Sequence, residues 1–138
     1  MVGVTAPAAP RPRRSRGAAE SLGSIVLVFE SIVVFLGGLT VFGLKALPAG
    51  IEPWWGVVAG TVLAALMLLT AGVLRYRWGI WLGWALQVLL LLGGFLLPAL
   101  WIVGMIFGGM WAYATIKGAS LDRRNARLAA EAETANGD

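Results

Sequence analysis

Between Trp78 and Ile116 the chain runs for 39 residues without a charged side chain. Two further stretches, Leu22 to Leu44 and Trp54 to Leu74, contain a single charge between them, Glu30. No other feature constrains the fold as strongly. Apolar runs of this length cannot all be hidden in the one core that a 138-residue chain can build. A bilayer, whose hydrocarbon core is about 30 Å thick, is crossed by roughly 20 residues of helix. The fold class expected is therefore all-α, an integral membrane bundle of four transmembrane helices. Composition agrees: 59% of residues are hydrophobic and 13% charged, about half the charge of a soluble domain.

Span boundaries follow from the polar punctuation. The first span is expected at about 22–44. A break holding Lys45, Pro48, Gly50, Glu52 and Pro53 comes next, and the second span covers about 54–74. Arg75-Tyr76-Arg77 makes a tight turn. As one helix the 39-residue run would be roughly 58 Å long, far more than a bilayer needs. Gly93-Gly94 and Pro98 interrupt it near the middle, so it is divided into a third span at about 78–95 and a fourth at 97–116. Residues 1–21, rich in Ala, Pro and Arg, read as a disordered basic tail. A cleaved signal peptide fits less well, because the apolar stretch is too long and no small-residue cleavage site follows it. Residues 117–138 form a polar tail, Asp122 and Glu131 among its solvated charges, that either continues as a short surface helix or frays.

Charge then orients the bundle. With four spans, Arg11, Arg13, Arg14, Arg16, Arg75, Arg77, Lys117, Arg123, Arg124 and Arg127 fall on one face and only Lys45 on the other. Positive charge stays in the cytoplasm, so both termini are expected there, in a bacterial cell membrane. The sequence pI near 10.4 is accounted for by topology and by anionic lipid headgroups at the basic tails, not by nucleic acid. Trp54 and Trp55 belong at the outer interface, and Tyr76, Trp78 and Tyr113 at the inner one. Trp81 and Trp84 lie deeper and are expected to pack between helices.

Glu30 is the one ionisable side chain within a span. A charge at that depth costs at least a few kcal/mol, so this carboxyl is expected to be protonated or hydrogen-bonded. Gln87 is the one amide within a span. It lies nine residues into the third span as Glu30 lies eight into the first. The two spans run parallel, so the side chains reach nearly the same depth and a hydrogen bond between them is expected. The pair is either interhelical glue, worth on the order of 1 kcal/mol, or a proton-coupled site. Gly23 and Gly37 flank Glu30 on its helix face. Gly56/Gly60, Gly79/Gly83 and Gly104/Gly108 have the GxxxG spacing that lets helices approach closely. All eight glycines are candidate packing positions.

Chemical sites are not expected. The chain has no cysteine and no histidine, which removes thiol chemistry and the commonest transition-metal ligands. It offers no Ser-His-Asp set, no paired intramembrane carboxylates and no phosphate loop. Neither catalytic residues, nor a cofactor, nor a metal is expected.

Trp78-Gly79 with Leu82-Gly83-Trp84-Ala85-Leu86-Gln87-Val88, the later Val103-Gly104-Met105-Ile106-Phe107 and Trp111-Ala112-Tyr113-Ala114, and Phe29-Glu30-Ser31-Ile32-Val33-Val34 together carry a resemblance. From Leu22 to Gly118 the chain resembles an uncharacterised actinobacterial family of four-span membrane proteins, domain of unknown function 4233. The resemblance implies four spans. It also implies a folate-related genomic setting, because genes of that family often lie beside the one for folylpolyglutamate synthase. It carries no activity over.

Two functional readings remain. One is a non-enzymatic structural or partner-binding membrane component, acting through helix packing with itself or another membrane protein. The other is a small proton-coupled transporter using Glu30. Small multidrug transporters also have four spans and an acid in the first. Their near-neutral loops permit opposed orientations, however, which the charge asymmetry here disfavours.

Overall fold

A computed structural model describes residues 17–137 of the chain. These residues form α1 (Ala18–Gly43), α2 (Trp55–Gly72), α3 (Arg77–Leu92) and α4 (Ala99–Asn136), with a single 3-10 turn, Gly93–Phe95, between α3 and α4. α1, α2 and α4, and α3 taken together with its 3-10 turn to Phe95, are long and apolar enough to cross a membrane. The expected basic tail falls outside the described residues over 1–16.

Several helix ends have a local cause. Pro98 immediately precedes α4, where its missing N–H costs nothing and its fixed φ suits a helix start. Gly93-Gly94 close α3 in the 3-10 turn. Gly50 takes φ +93° in the α1–α2 connection, a backbone conformation open to glycine and strained for most other residues. At the α2–α3 turn the Arg75 guanidinium lies 4.6 Å above the Tyr76 ring, and Tyr76 stacks on Trp78 at 5.9 Å. At the opposite end Trp54 stacks on Trp55 at 4.6 Å.

Two boundaries differ substantially from the sequence reading, and the others by one to three residues. The first helix begins at Ala18, four residues before the expected Leu22. The fourth does not stop at Ile116 but continues without a break to Asn136, 38 residues in all, or roughly 57 Å. The second is slightly shorter than expected, ending at Gly72. One side chain links the first two changes. The Asp122 carboxylate accepts the backbone N–H of Ala18 at 2.6 Å and of Ala19 at 3.3 Å, satisfying two of the orphan donors that open α1. Asp122 is thus half-buried against another helix and not a solvated tail charge. Its partners lie more than 100 residues away in sequence, where a local pattern cannot reveal them.

The bundle is ordered α1–α2–α3–α4 around its axis. α1 packs closely on α2 and on α4, α3 packs on α4 and less closely on α2, and α1 faces α3 across the diagonal. On α1 the buried positions Glu20, Gly23, Leu27, Glu30, Val34, Gly38 and Val41 recur every three or four residues, the spacing of one helix face. The core centres on Leu27, Met67, Leu86, Leu90 and Trp111. Large apolar side chains such as Phe29, Leu69, Phe95 and Met105 point outward, as they should where hydrocarbon is the solvent. Trp81 joins them, 71% exposed, and Trp84 is partly exposed on the same side. Both were expected between helices; depth in the span does not determine the face, and the buried face of α3 is taken by Gly79, Gly83, Leu86, Gln87 and Leu90.

Candidate functional site

Glu30 sits midway along α1, and Gln87 two-thirds of the way along α3. Gln87 Nε2 donates to Glu30 Oε2 at 2.6 Å. Glu30 is fully buried and Gln87 is 3% exposed. The expected pair is therefore formed, and it crosses the diagonal of the bundle. This direct side-chain bond joins two helices whose backbones are not closely packed on each other. Such a bond in a low-dielectric interior is stronger than in water, and the geometry is that of a short hydrogen bond.

Glycine makes the crossing short enough. A methyl at Gly38 would lie 2.7 Å from the Gly56 carbonyl oxygen and 2.9 Å from the Gly60 Cα. α1 and α2 therefore touch backbone to backbone there. Gly38 supplies this contact, and its neighbour Gly37 stands off beside Leu100, where a Cβ would be 3.3 Å away. Gly23 and Gly83 both lie against the six-membered ring of Trp111, Gly79 against the Val73 carbonyl, and Gly104 against Leu91. A Cβ at Gly108 would be 3.8 Å from Gln87 Oε1, so the missing side chain leaves the amide its space. All three GxxxG pairs thus face neighbours within the chain.

Trp111 was not singled out as a site residue. Its side chain is completely buried at the point where α1, α3 and α4 meet. Its signal in the sequence is its place in the Trp111-Ala112-Tyr113-Ala114 segment that carries the family resemblance, which assigns it no role. The glycines opposite it, Gly23 and Gly83, are the cavity that a large ring requires, and their coincidence in depth appears only once the helices are assembled. Gly118 was missed as well: a Cβ there would run into the Ala19 backbone, so α1 and α4 are in closest contact beside the Asp122 cap.

The polar side chains are distributed unevenly. Among the described residues, Glu20, Ser24, Glu30, Ser31, Thr70, Gln87 and Thr115 are the buried ones. All lie at the depth of the acid–amide pair or between it and the end where α1 begins. The hydroxyls are internally satisfied: Ser24 donates to the Glu20 carbonyl at 2.7 Å, Ser31 to Val28 at 2.6 Å, Thr70 to Leu66 at 2.7 Å and Thr115 to Trp111 at 2.9 Å. Beyond the pair, toward the α1–α2 connection, lies a cavity of about 130 Å³. Val34, Gly38, Gly60, Leu63, Leu90 and Leu100 are among its lining residues, and no polar side chain is. Among the described residues no cluster of His, Cys, Asp or Glu could hold a metal ion.

A bundle of four membrane-length helices with an enclosed carboxyl hydrogen-bonded at its centre defines a small multi-pass membrane protein. The chain belongs to the protein family of unknown function DUF4233, whose model matches residues 21–127. That match extends past the bundle into the projecting part of α4 and takes in Asp122. No curated protein and no solved structure matches the chain.

Proposed function

We propose that the protein is a non-enzymatic component of the bacterial cell membrane that presents the projecting part of α4 to a partner at the cytoplasmic face. The observation that carries this reading is α4 itself. From Arg123 onward every described residue of the helix is exposed, including Leu128 at 51%. The projection is nevertheless fixed at its base, where Gly118 meets Ala19 and Asp122 caps α1. A helix of that length is marginal alone in water; a rigid root and an unoccupied surface fit a docking arm. Arg123, Arg124 and Arg127 lie near the base and Glu131 and Glu133 further out. The basic part is placed to meet anionic headgroups, leaving the acidic part for protein.

Photo-crosslinking from position 128 in native membranes tests the reading. A specific adduct, with itself or with another membrane protein, that is lost when Asp122→Ala loosens the base supports it. A chain that crosslinks to nothing but lipid and purifies as a solitary monomer refutes it.

Transport through Glu30 is the rival, favoured by an acid at mid-membrane, a position functional by default. Two observations weigh against it. The carboxyl is engaged by Gln87, and its polar surroundings lie on one side only, the other being the apolar cavity. Among the described residues, a proton arriving from one face would find no buried polar side chain leading on to the other.

A further inference from the structure

Among the described residues, the buried side-chain polar atoms without a hydrogen-bond partner are Glu30 Oε1, Gln87 Oε1 and Trp111 Nε1. They come from three different helices and belong to one place. The 2.6 Å bond between Gln87 and Glu30 joins the two groups that carry two of them. Gln87 Oε1 points toward α4, since a Cβ at Gly108 would be 3.8 Å from it, and Gly108 is one turn from Trp111. The Trp111 ring presses on Gly83 with the edge that includes Cε2, the atom bonded to Nε1, and Gly83 is one turn from Gln87. An unpartnered polar atom in a membrane interior is disfavoured, and three together ask for a common explanation.

Donor and acceptor arithmetic narrows the choices. Trp111 Nε1–H can only donate and Gln87 Oε1 can only accept, whereas a carboxyl oxygen accepts when bare and donates when protonated. A protonated Glu30 donating straight to Gln87 Oε1 would close an acid–amide ring, but the indole N–H would remain without an acceptor. One water molecule serves all three: it accepts from Trp111 Nε1–H and from the Oε1–H of the neutral acid, whose Oε2 takes the Gln87 amide, and it donates to Gln87 Oε1. Buried waters in proteins make about three such bonds to otherwise unsatisfied groups.

We propose that Glu30, Gln87 and Trp111 enclose a binding site for a single water molecule, which ties α1, α3 and α4 together at mid-membrane. The site lies beside the apolar cavity and is distinct from it, since a cavity without polar lining stays dry. No ionisable side chain from α2 or α3 reaches this layer; on α1 the nearest is Glu20, and on α4 Tyr113 points outward and Lys117 lies toward the end of the bundle. The water therefore answers to one carboxyl. This proposal is independent of any partner of α4.

Infrared difference spectra of the reconstituted full-length protein, hydrated first with ordinary water and then with oxygen-18 water, test it. The expected result is an O–H stretch of a confined water that shifts with the isotope, moves to another frequency in Trp111→Phe, and disappears in Glu30→Leu. Absence of any isotope-sensitive confined band in the wild-type protein would overturn the proposal. A Glu30 carbonyl band left unchanged by Trp111→Phe would overturn it too and establish the direct acid–amide ring. The wild-type spectrum decides the matter even if a variant fails to fold, and Glu30→Gln, which keeps the shape and a hydrogen-bonding group, serves as a second comparison.

Discussion

Glu30 and Gln87 were the most legible residues of the chain, because polar side chains in a hydrocarbon span are few and parallel helices fix their depths. Their bond has an energetic signature that a single substitution cannot give. Gln87→Leu leaves a buried carboxyl oxygen without its donor, a loss of roughly 1–3 kcal/mol. Removing both groups leaves neither end of that bond unsatisfied, so Glu30→Leu/Gln87→Leu is expected to be more stable than Gln87→Leu alone, with a coupling on the order of 1 kcal/mol. Unfolding in detergent of the two single variants and the double one measures this, and additive losses would mean that the bond contributes nothing. Trp111 was less legible for a reason of the same kind: an apolar ring in an apolar span carries no contrast. Its environment predicts a large effect, roughly 3–5 kcal/mol for Trp111→Ala. Trp81→Ala, at a side chain 71% exposed to the lipid side, is expected to lower stability far less in the same assay.

At the scale of elements, span number and the break at Gly93-Gly94 and Pro98 could be read from charge and helix breakers, because both signals are local. The start of α1 and the length of α4 could not. They depend on each other through Asp122, and an acid in an alanine-rich polar segment looks solvated until the helix it caps is in place. The carboxylate at the N-terminus of α1 is also favoured by the helix dipole. Asp122→Ala is expected to cost about 0.5–2 kcal/mol and to speed hydrogen exchange at the Ala18 and Ala19 amides; protection unchanged there would show the cap to be idle. Packing glycines separate in the same way. Gly60→Leu drives a side chain into the Gly38 backbone and is expected to part α1 from α2, whereas a Cβ at Gly109 meets nothing within 4 Å. Gly109→Leu should therefore keep the folded yield that Gly60→Leu loses, as read by monodisperse elution in detergent.

For the whole molecule, the helix count makes a geometric statement and charge adds a direction to it. An even number of crossings returns α4 to the end where α1 begins, and the α1–α4 contacts at Ala19, Gly118 and Asp122 hold those two ends together. Arg75 and Arg77, at the α2–α3 turn, share that end, and Lys45 lies at the other. Ten basic residues against one should fix a single insertion, with the basic end in the cytoplasm. The chain has no cysteine, so introduced thiols report without background. In intact cells a membrane-impermeant maleimide is expected to label Ala49→Cys, in the α1–α2 connection, and to reach Leu128→Cys, on the α4 projection, only after permeabilisation. Labelling of both sites in intact cells would mean that the chain inserts in two orientations. Opposed copies would then be possible, the charge argument would fail, and the transporter reading would become the stronger one. Labelling confined to Ala49→Cys keeps every copy of the α4 arm on one face, as a surface that docks a cytoplasmic or membrane partner must be.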